Sequence, residues 1–427
     1  MSSTIVMIFD TFEDVEKYLN TIPKFQSSGA EAANFDLSRF EQFCQSIGKP
    51  QEQFPAVHVA GTNGKGSTCH MLDQIYRQAG YRVGLYTSPH IVDFNERFQL
   101  NGKPISDEAL ITFFQRFADR IEEYKLTYFE ISTAIAFWWF AESGIDIAIL
   151  EVGLGGRLDA TNIIDPLVSV ITSIGTDHSD ILGETIEEIA AEKAGIIKQG
   201  RPVVVGDLPD AAVPIVNEIA RDRQAPLVSI EELHPQMVAP VRYQLQVESE
   251  LIEVRSPLLN PIQAQNIAIA WRVMEVLKDQ FSVEKTVFLQ AMQQMELGPA
   301  RFEKLAPSQE WYFDGAHNLE AVRALKQSVQ MIGTLSDATL VLCLMRDKVN
   351  PEVMKEFSEF KNIYYYSLGL ERAANYNDIV QWLPDANPFP ALNDHQSFRN
   401  DLNSELVIFA GSFYFYNTVR DWVSSIA

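Results

Sequence analysis

The chain has 427 residues, about two or three average domains, and 46% of them are hydrophobic, which permits a substantial core and excludes wholesale disorder. Asp and Glu number 57 against 34 Lys and Arg, and the net charge of −23 argues against sequence-independent binding to nucleic acid or to anionic membranes. Three cysteines without a C-x-x-C pair support neither a disulfide framework nor a zinc cage. Acidic residues close to the N-terminus replace the features of a signal peptide, so we expect a cytoplasmic protein.

The first half of the chain alternates predicted strands and helices. Short apolar runs predict the strands, and periodic apolar residues between them predict the helices. The predicted elements are strand 57–60, helix 67–79, strand 82–86, helices 107–124 and 130–141, strands 146–151 and 167–173, helix 185–197 and strand 202–205. Strands separated by helices imply βαβ crossovers and a mostly parallel sheet that is covered on both faces.

The pattern changes after residue 231. Polar and apolar residues alternate over 241–247, which indicates a small, more antiparallel patch, and a helix resumes over 263–277. Gly298 and Pro299 then follow a helical segment, and they predict a boundary between a domain over 1–297 and a domain over 298–427. The second domain repeats the alternation, with strand 311–313, helix 319–331, strand 339–343, helix 351–357, strands 363–367 and 406–409 and helix 418–425.

A glycine-rich turn, Gly61-Thr-Asn-Gly-Lys-Gly-Ser67, lies between the first predicted strand and helix. Its glycines let the backbone approach a ligand, and its N–H groups and the helix N-terminus form an anion site. Lys65 adds a mobile charge for the β- and γ-phosphates, and Ser67 or Thr68 offers a hydroxyl for Mg²⁺. Gly66 separates the lysine from the serine, unlike the standard phosphate loop. The alternative is an ordinary glycine-rich turn, but its position between a strand and a helix favours phosphate binding.

Several polar side chains follow other predicted strands, where open α/β sheets bind ligands. Glu151 is either a Mg²⁺ ligand or a capping acid, and the residues alone leave these two interpretations level. Ser88 and His178 each follow a strand, and each has an ordinary turn or loop role as its alternative. Lys193 lies in the last turns of a helix, where a solvated cation is favoured by the helix dipole.

An acid and an imidazole, Asp314 and His317, follow the first strand of the second domain. They are placed to contact a nucleotide and a substrate amine. The alternative is that this segment only leads into the next helix, which Asn318 would cap. No nucleophile elbow or dinucleotide-binding glycine pattern accompanies them, so neither a serine hydrolase nor a dehydrogenase is indicated.

Five motifs, in this order, resemble the folylpolyglutamate synthase family of the Mur ligase superfamily, whose members are often also dihydrofolate synthases. The motifs are G-T-N-G-K-G-S at 61–67, T-S-P-H at 87–90, E-V-G-L-G-G-R-L-D-A-T-N at 151–162, E-K-A-G at 192–195 and D-G-A-H-N at 314–318. The resemblance implies a P-loop-type, mostly parallel α/β domain followed by a smaller, Rossmann-like α/β domain. It also implies an ATP-dependent ligase that adds L-glutamate to folates through an acyl phosphate.

The resemblance implies a role for each matching residue. The residues expected to bind ATP are Thr62, Asn63, Gly64, Lys65, Gly66, Ser67, Asn266, Arg301 and Asp314. Two Mg²⁺ ions are expected on Ser88, Glu151, His178 and Lys193, with Lys193 carried as a carbamate. The residues expected to act in catalysis are Lys65, Lys193, Asp314 and His317.

The segments that resemble the pterin-binding part of the bifunctional members are Thr127, Phe129, Leu158, Asp159 and Ala160. They predict activity on dihydropteroate as well as on reduced folate. Phe129 would stack on the pterin and Asp159 would accept its N–H groups. The alternatives are that Phe129 packs in the core beside Trp138 and Trp139, and that Asp159 caps a loop.

Three departures from the family pattern concern the second domain: Ala300 where glycine is usual, Leu319 where proline is common and Val349 where an acid is common. The remaining alternatives are a monofunctional folylpolyglutamate synthase, another Mur-type ligase and a regulatory P-loop ATPase. A cell-wall ligase would need a nucleotide-sugar domain before the phosphate loop, where only 60 residues precede Gly61. We expect a monomer whose partners are small molecules: ATP, L-glutamate and a reduced folate or dihydropteroate.

Overall fold

The computed structural model describes residues 9–23, 36–177, 179–389 and 405–426, which divide into two compact units. The second unit contains the chain from Glu296 onward and also two short earlier segments, Gln236–Tyr243 and Ser256–Ala264. These segments are held to each other by hydrogen bonds from the Ser256 N–H to the Val241 carbonyl and from the Tyr243 hydroxyl to the Leu258 carbonyl. The units are therefore not contiguous in sequence, whereas the predicted domains are.

The first unit contains an eight-stranded sheet in the order β4-β3-β2-β5-β1-β6-β7-β8. Its strands are β1 (Ala56–Ala60), β2 (Val83–Tyr86), β3 (Phe98–Leu100), β4 (Lys103–Pro104), β5 (Ile147–Glu151), β6 (Val168–Ile171), β7 (Val203–Val205) and β8 (Leu227–Ser229). The pairs from β2 to β8 are parallel, and β3 and β4 add an antiparallel edge. This confirms the predicted mostly parallel sheet, whose central strands are buried along their whole length.

Helices follow most of these strands. They are α1 (Phe12–Thr21), α2 (Ser38–Ser46), α3 (Lys65–Gln78), α4 (Asp107–Glu123), α5 (Tyr128–Ser143), α6 (Ser179–Leu182), α7 (Ile186–Ala194), α8 (Val213–Asp222), α9 (Gln263–Val276) and α10 (Lys285–Gln293). Helix α5 begins two residues before the predicted start because Thr127 and Glu130 form a reciprocal capping box. An aromatic-rich core packs against α1, α2, α4 and α5, and a second cluster lies under α7 and α8.

Residues 236–255 form a separate three-stranded sheet in the order β11-β10-β9. Its strands are β9 (Gln236–Ala239), β10 (Arg242–Val247) and β11 (Glu250–Arg255). Tyr243, Leu245, Ile252 and Val254 are buried and their strand neighbours are more exposed, as the alternation in the sequence predicts.

The second unit contains a six-stranded sheet in the order β12-β13-β17-β14-β15-β16. Its strands are β12 (Arg301–Lys304), β13 (Glu310–Asp314), β14 (Thr339–Cys343), β15 (Asn362–Tyr365), β16 (Asn387–Pro388) and β17 (Leu406–Gly411). Only β12 runs antiparallel to its neighbour. The helices are α11 (Leu319–Ile332), α12 (Pro351–Phe357), α13 (Tyr376–Val380) and α14 (Phe413–Ile426). Over the described ranges, no helix has both the length and the apolar character needed to cross a bilayer.

Candidate active site

The phosphate-loop segment connects β1 to α3 and is anchored on the residues that follow β6. The Asn63 N–H donates to the Ser173 hydroxyl at 2.9 Å, and the Thr172 hydroxyl donates to the Asn63 carbonyl at 2.7 Å. Gly64 adopts φ +87°, and a Cβ there would lie 2.6 Å from Oδ1 of the buried Asn266. The loop therefore needs glycine at this position for its backbone conformation and for its contact with α9.

Two lysines converge on one carbonyl of this loop. Lys65 Nζ donates to the Gly61 carbonyl at 2.9 Å and to the Thr62 carbonyl at 3.2 Å, and Lys193 Nζ donates to the same Gly61 carbonyl at 3.1 Å. Burial, aided by the charge of Lys65 and opposed by Asp177, lowers the pKa of Lys193 to about 7. The sequence suggested a solvated cation at Lys193, but its side chain is only 4% exposed. Lys65 therefore offers a positive charge to an anionic ligand, and the lowered pKa of Lys193 makes its neutral amine accessible near neutral pH.

Glu151 ends β5, next to the strand that leads into the phosphate loop, and is buried. Its Oε2 accepts the Ser88 N–H at 3.0 Å, so two of the predicted metal ligands lie together. His178, a third, lies outside the described residues. The described ranges contain no group of three or more His, Cys, Asp or Glu side chains arranged to hold a metal ion. The predicted set instead combines the imidazole of His178 with oxygens of a hydroxyl, a carboxylate and a modified lysine, and these oxygens are hard ligands of the kind that Mg²⁺ prefers.

Asp159 lies in the loop after β5 and is saturated by hydrogen bonds from that loop. Oδ2 accepts the Gly153 N–H at 3.0 Å and the Leu154 N–H at 2.9 Å, and Oδ1 accepts the Thr161 N–H at 3.0 Å and the Thr161 hydroxyl at 2.5 Å. Asp159 therefore caps its loop, which is the alternative that the sequence left open. A pterin N–H would have to displace one of these donors, so this arrangement gives no support to direct recognition of the pterin by Asp159.

Phe129 is half-buried on the first turn of α5. Its ring packs over Gly153, where an added Cβ would meet the ring, and its centroid is 6.3 Å from that of Tyr86. It also packs against the aromatic core that contains Trp138 and Trp139. Of the other predicted pterin residues, Thr127 caps α5, Leu158 is half-buried and Ala160 is buried.

In the second unit, Arg301 and Asp314 lie opposite each other on β12 and β13. Desolvation raises the pKa of Asp314 to about 7, although its carboxylate accepts the Ala316 N–H and faces the charge of Arg301. His317 Nδ1 lies 2.6 Å from the Gly315 carbonyl. Asn318 accepts the Ala321 N–H at 3.0 Å and caps α11, as one of the two interpretations of the sequence predicted.

A cavity of about 290 Å³ opens beside Arg301 within the second unit. Tyr312 stacks on Phe302 with ring centroids 4.8 Å apart, and Lys304 Nζ lies 6.0 Å from the Tyr312 centroid. All four side chains line the cavity. Of these four residues the sequence predicted a site role for Arg301 alone, and the alternating R-F-E-K pattern at 301–304 was the available signal for a strand that pairs with the Trp311 strand.

The fold and the residues gathered at this candidate site indicate a class of protein, which comparisons with known proteins identify. Residues 59–274 match the family model described as the Mur ligase middle domain. The dihydrofolate synthase/folylpolyglutamate synthase of Bacillus subtilis is 34% identical over 97% of this chain and 99% of its own length. The folylpolyglutamate synthase of Lacticaseibacillus casei is 30% identical over 96% of this chain and 98% of its own length.

A solved structure of E. coli FolC in complex with DHPP and ADP covers 98% of each chain with a TM-score of 0.86 and 28% identity. The chain therefore belongs to the Mur ligase superfamily and, within it, to the dihydrofolate synthase/folylpolyglutamate synthase family. This confirms the resemblance found in the motifs.

Proposed function

We propose that this chain is an ATP-dependent ligase that joins L-glutamate to reduced folates and also to dihydropteroate. The observation that supports it best is that Lys65 and Lys193 both donate to the Gly61 carbonyl of the phosphate loop. This loop follows β1, which pairs with the strand that ends at the buried Glu151. Lys65 offers positive charge to a polyphosphate, and Glu151 together with a carbamate on Lys193 would offer hard oxygen to a metal at the same edge of the sheet. The names of the relatives from Bacillus subtilis and Lacticaseibacillus casei support the substrate class.

The chemistry that such a site serves is the activation of a carboxylate. A substrate carboxylate oxygen forms a bond to the γ-phosphorus of ATP while the bond from that phosphorus to the β,γ-bridging oxygen breaks, so ADP leaves. The glutamate amine then attacks the carbonyl carbon, phosphate leaves with the electron pair of the C–O bond, and the amine loses a proton. Lys65 would turn from the carbonyls of its own loop to the transferred phosphoryl group and stabilise its charge.

We further propose that Mg²⁺ is held by Ser88, Glu151, His178 and a carbamate on Lys193, at two sites. Of these, the structure describes Ser88 and Glu151 in contact through a backbone N–H. When bound, Mg²⁺ supplies charge neutralisation to the phosphates.

The carbamate forms when the neutral Lys193 amine attacks the carbon of CO₂ and releases a proton. The buried amine beside the charge of Lys65 favours an anionic product. Incubation with ¹³C-bicarbonate, followed by NMR, would detect it at a carbamate shift that is absent in Lys193→Ala. Full activity after bicarbonate is stripped would contradict the modification.

In the second unit we propose that Arg301 and Asp314 contact ATP and that His317 acts near the reacting groups. The cavity beside Arg301 suits the nucleotide base, because it combines a stacked aromatic pair with a cation and is of the size of small-ligand sites. We propose that 1–297, apart from Gln236–Tyr243 and Ser256–Ala264, is the ATP-binding domain and that 298–427 with these two segments is the C-terminal domain, and that the protein is a cytoplasmic monomer.

An ADP-release assay tests the function, with dihydropteroate and tetrahydrofolate supplied separately and with L-glutamate omitted as the control. ADP release that requires L-glutamate and occurs with both pteridines supports the bifunctional enzyme. Release with tetrahydrofolate alone would identify a monofunctional folylpolyglutamate synthase. ADP release that does not depend on L-glutamate would favour the regulatory ATPase instead.

A further inference from the structure

A buried histidine on the strand that leads into the phosphate loop contacts the loop after β5. His58 lies on β1 and has no exposed surface. Its Nε2 is 2.8 Å from the hydroxyl of Thr161, which is also fully buried. Nδ1 has no hydrogen-bond partner. His58 therefore makes one polar contact, through Nε2, and has one buried nitrogen, Nδ1, without a hydrogen-bond partner.

The number of available hydrogen atoms decides whether His58 or Thr161 is the donor in this contact. Burial raises the pKa of Asp159, but three backbone N–H groups donate to its two oxygens and favour the ionised carboxylate. Thr161 has one hydroxyl hydrogen, and it donates this hydrogen to the carboxylate at Oδ1, 2.5 Å away. The Thr161 oxygen must then accept from His58, which places the histidine proton on Nε2. The hydrogen bonds therefore form a series in which His58 donates to Thr161 and Thr161 donates to Asp159. Asp159 Oδ2 also accepts the Gly153 and Leu154 N–H groups.

The last hydrogen bonds of this series hold the Gly153–Leu154 turn, which lies against Phe129, the aromatic ring of the proposed pterin site. Gly153 lies under the ring of Phe129, so closely that an added Cβ would overlap the ring. A shift of the Gly153–Leu154 turn would therefore move the surface against which Phe129 rests. Asp159 accepts both N–H groups of this turn, and the Thr161 hydroxyl that donates to Asp159 is the one that contacts His58.

A merely structural role does not account for this histidine. Its strand neighbours Val57 and Val59 are apolar and fully buried, and an apolar side chain at 58 would avoid leaving Nδ1 unsatisfied. A buried polar atom without a partner costs roughly 1–3 kcal/mol. Burial lowers the pKa of His58 to about 3, so the ring is neutral and adds no ion pair. The cost is explained if the Nε2–H is needed to orient the Thr161 hydroxyl.

We propose that His58 is a positioning residue for the pterin end of the substrate: through Thr161 and Asp159 it holds the Gly153–Leu154 turn beneath Phe129. The inference rests on the proposed function, since it assumes that a folate binds at this loop. It predicts that His58 affects the affinity for the pteridine substrate and leaves the use of ATP unchanged.

The test is steady-state ADP release by the full chain, with KM measured separately for tetrahydrofolate, ATP and L-glutamate. His58→Val and Thr161→Val should each raise the KM for tetrahydrofolate about tenfold, the effect of one lost hydrogen bond at this loop. The KM for ATP and kcat should stay within about twofold. The double variant should be no worse than either single variant, because both changes break the same series of hydrogen bonds.

Two further variants separate positioning from packing. His58→Gln should restore the KM for tetrahydrofolate to near the wild-type value, because its side-chain amide N–H lies as far along the side chain as Nε2. Ser169 is the matched control: it is the β6 partner of His58, is fully buried, and makes a single side-chain hydrogen bond, to the Ile196 carbonyl at 2.8 Å. Ser169→Ala should lower stability and leave all three KM values unchanged.

The outcomes are distinguishable. An unchanged KM for tetrahydrofolate in His58→Val, or an equal rise in Ser169→Ala, would overturn the positioning role. If His58→Val does not fold, an unchanged KM for tetrahydrofolate in Thr161→Val would overturn the role, since valine keeps the shape of threonine, whereas a raised KM in Thr161→Val beside a near-wild-type KM in His58→Gln would uphold it. Wild-type protein that releases ADP with tetrahydrofolate and L-glutamate upholds the proposed function whichever way the variants behave. A wild-type chain that never does so contradicts that function, and this inference with it.

Discussion

Replacing Gly64 by alanine should damage both the stability of the chain and its use of ATP. Gly64 ends the phosphate loop at φ +87°, a conformation that costs a residue with a Cβ about 1–2 kcal/mol. The new Cβ would lie 2.6 Å from Asn266 Oδ1, which accepts the Thr68 hydroxyl at 3.4 Å. Moving the buried Asn266 carboxamide aside loses that contact and adds about 1 kcal/mol. The expected loss of unfolding free energy is about 2–3 kcal/mol.

Gly80 provides a control at the other end of the same helix. It has φ +92°, nearly the value of Gly64, but nothing lies within 4 Å of a Cβ added there. Gly80→Ala should therefore lose only the backbone part, again about 1–2 kcal/mol, and leave the KM for ATP unchanged. The difference between the two variants isolates the contact with Asn266.

Urea unfolding measures the two losses, and glutamate-dependent ADP release measures the KM for ATP. Gly64→Ala should raise that KM about tenfold, because both the loop and the predicted ATP contact Asn266 are displaced. Equal losses of stability in Gly64→Ala and Gly80→Ala would refute the steric argument. An unchanged KM for ATP in Gly64→Ala would refute the assignment of this loop to the triphosphate.

Three other changes probe separate parts of the site. Lys65→Ala should keep the far-UV circular dichroism spectrum, because the hydrogen bonds of Nζ go to the Gly61 and Thr62 carbonyls of its own loop. It should lose at least about a hundredfold in kcat/KM, because the charge that stabilises the transferred phosphoryl group is removed, and near-normal turnover would argue against phosphate binding. Asp159→Ala leaves the donors of its loop without an acceptor, so the free energy of unfolding should fall by about 3–5 kcal/mol and activity on both pteridines should be lost. Loss of activity with dihydropteroate alone would instead support direct recognition of the pterin by Asp159. Asp314 has a pKa of about 7 against an ordinary 3.8, so the stability it contributes is complete below pH 3.8 and is lost as the pH rises through 7. Asp314→Asn should therefore gain roughly 1–3 kcal/mol over wild type between pH 4 and 8 in urea unfolding, and parallel pH profiles would refute the raised pKa.

The sequence predicted most of the first unit because its strands are buried on both faces and read as uninterrupted apolar runs. Strands β1, β5 and β6 fall within about two residues of their predicted bounds. The edge strands β3, β4 and β8 were not predicted. They are two or three residues long and partly exposed, so they lack the apolar run that identifies a central strand.

The position of the candidate site was predictable, and the partners of its residues were not. Glu151 and the phosphate loop come together because parallel strands end at the same edge of the sheet. Lys193 looked like a surface cation, since the helical pattern around it does not show that its Nζ reaches the Gly61 carbonyl from 132 residues away. Long-range contacts of this kind depend on the packing of α7, which local periodicity does not encode.

Ala300 shows why one departure from the family pattern is tolerated. The structure places it at φ +60°, the left-handed conformation that explains why glycine is usual there in the family. Alanine costs about 1 kcal/mol or more in that conformation. Ala300 is 1% exposed, so burial of its methyl group returns about 0.8 kcal/mol and offsets only part of this cost. Hydrogen bonds from the Ala300 N–H to Glu303 and from the Gly315 N–H to the Ala300 carbonyl then hold the bulge that presents Arg301. The substitution therefore keeps the geometry of the β12 start, and Arg301 remains opposite Asp314.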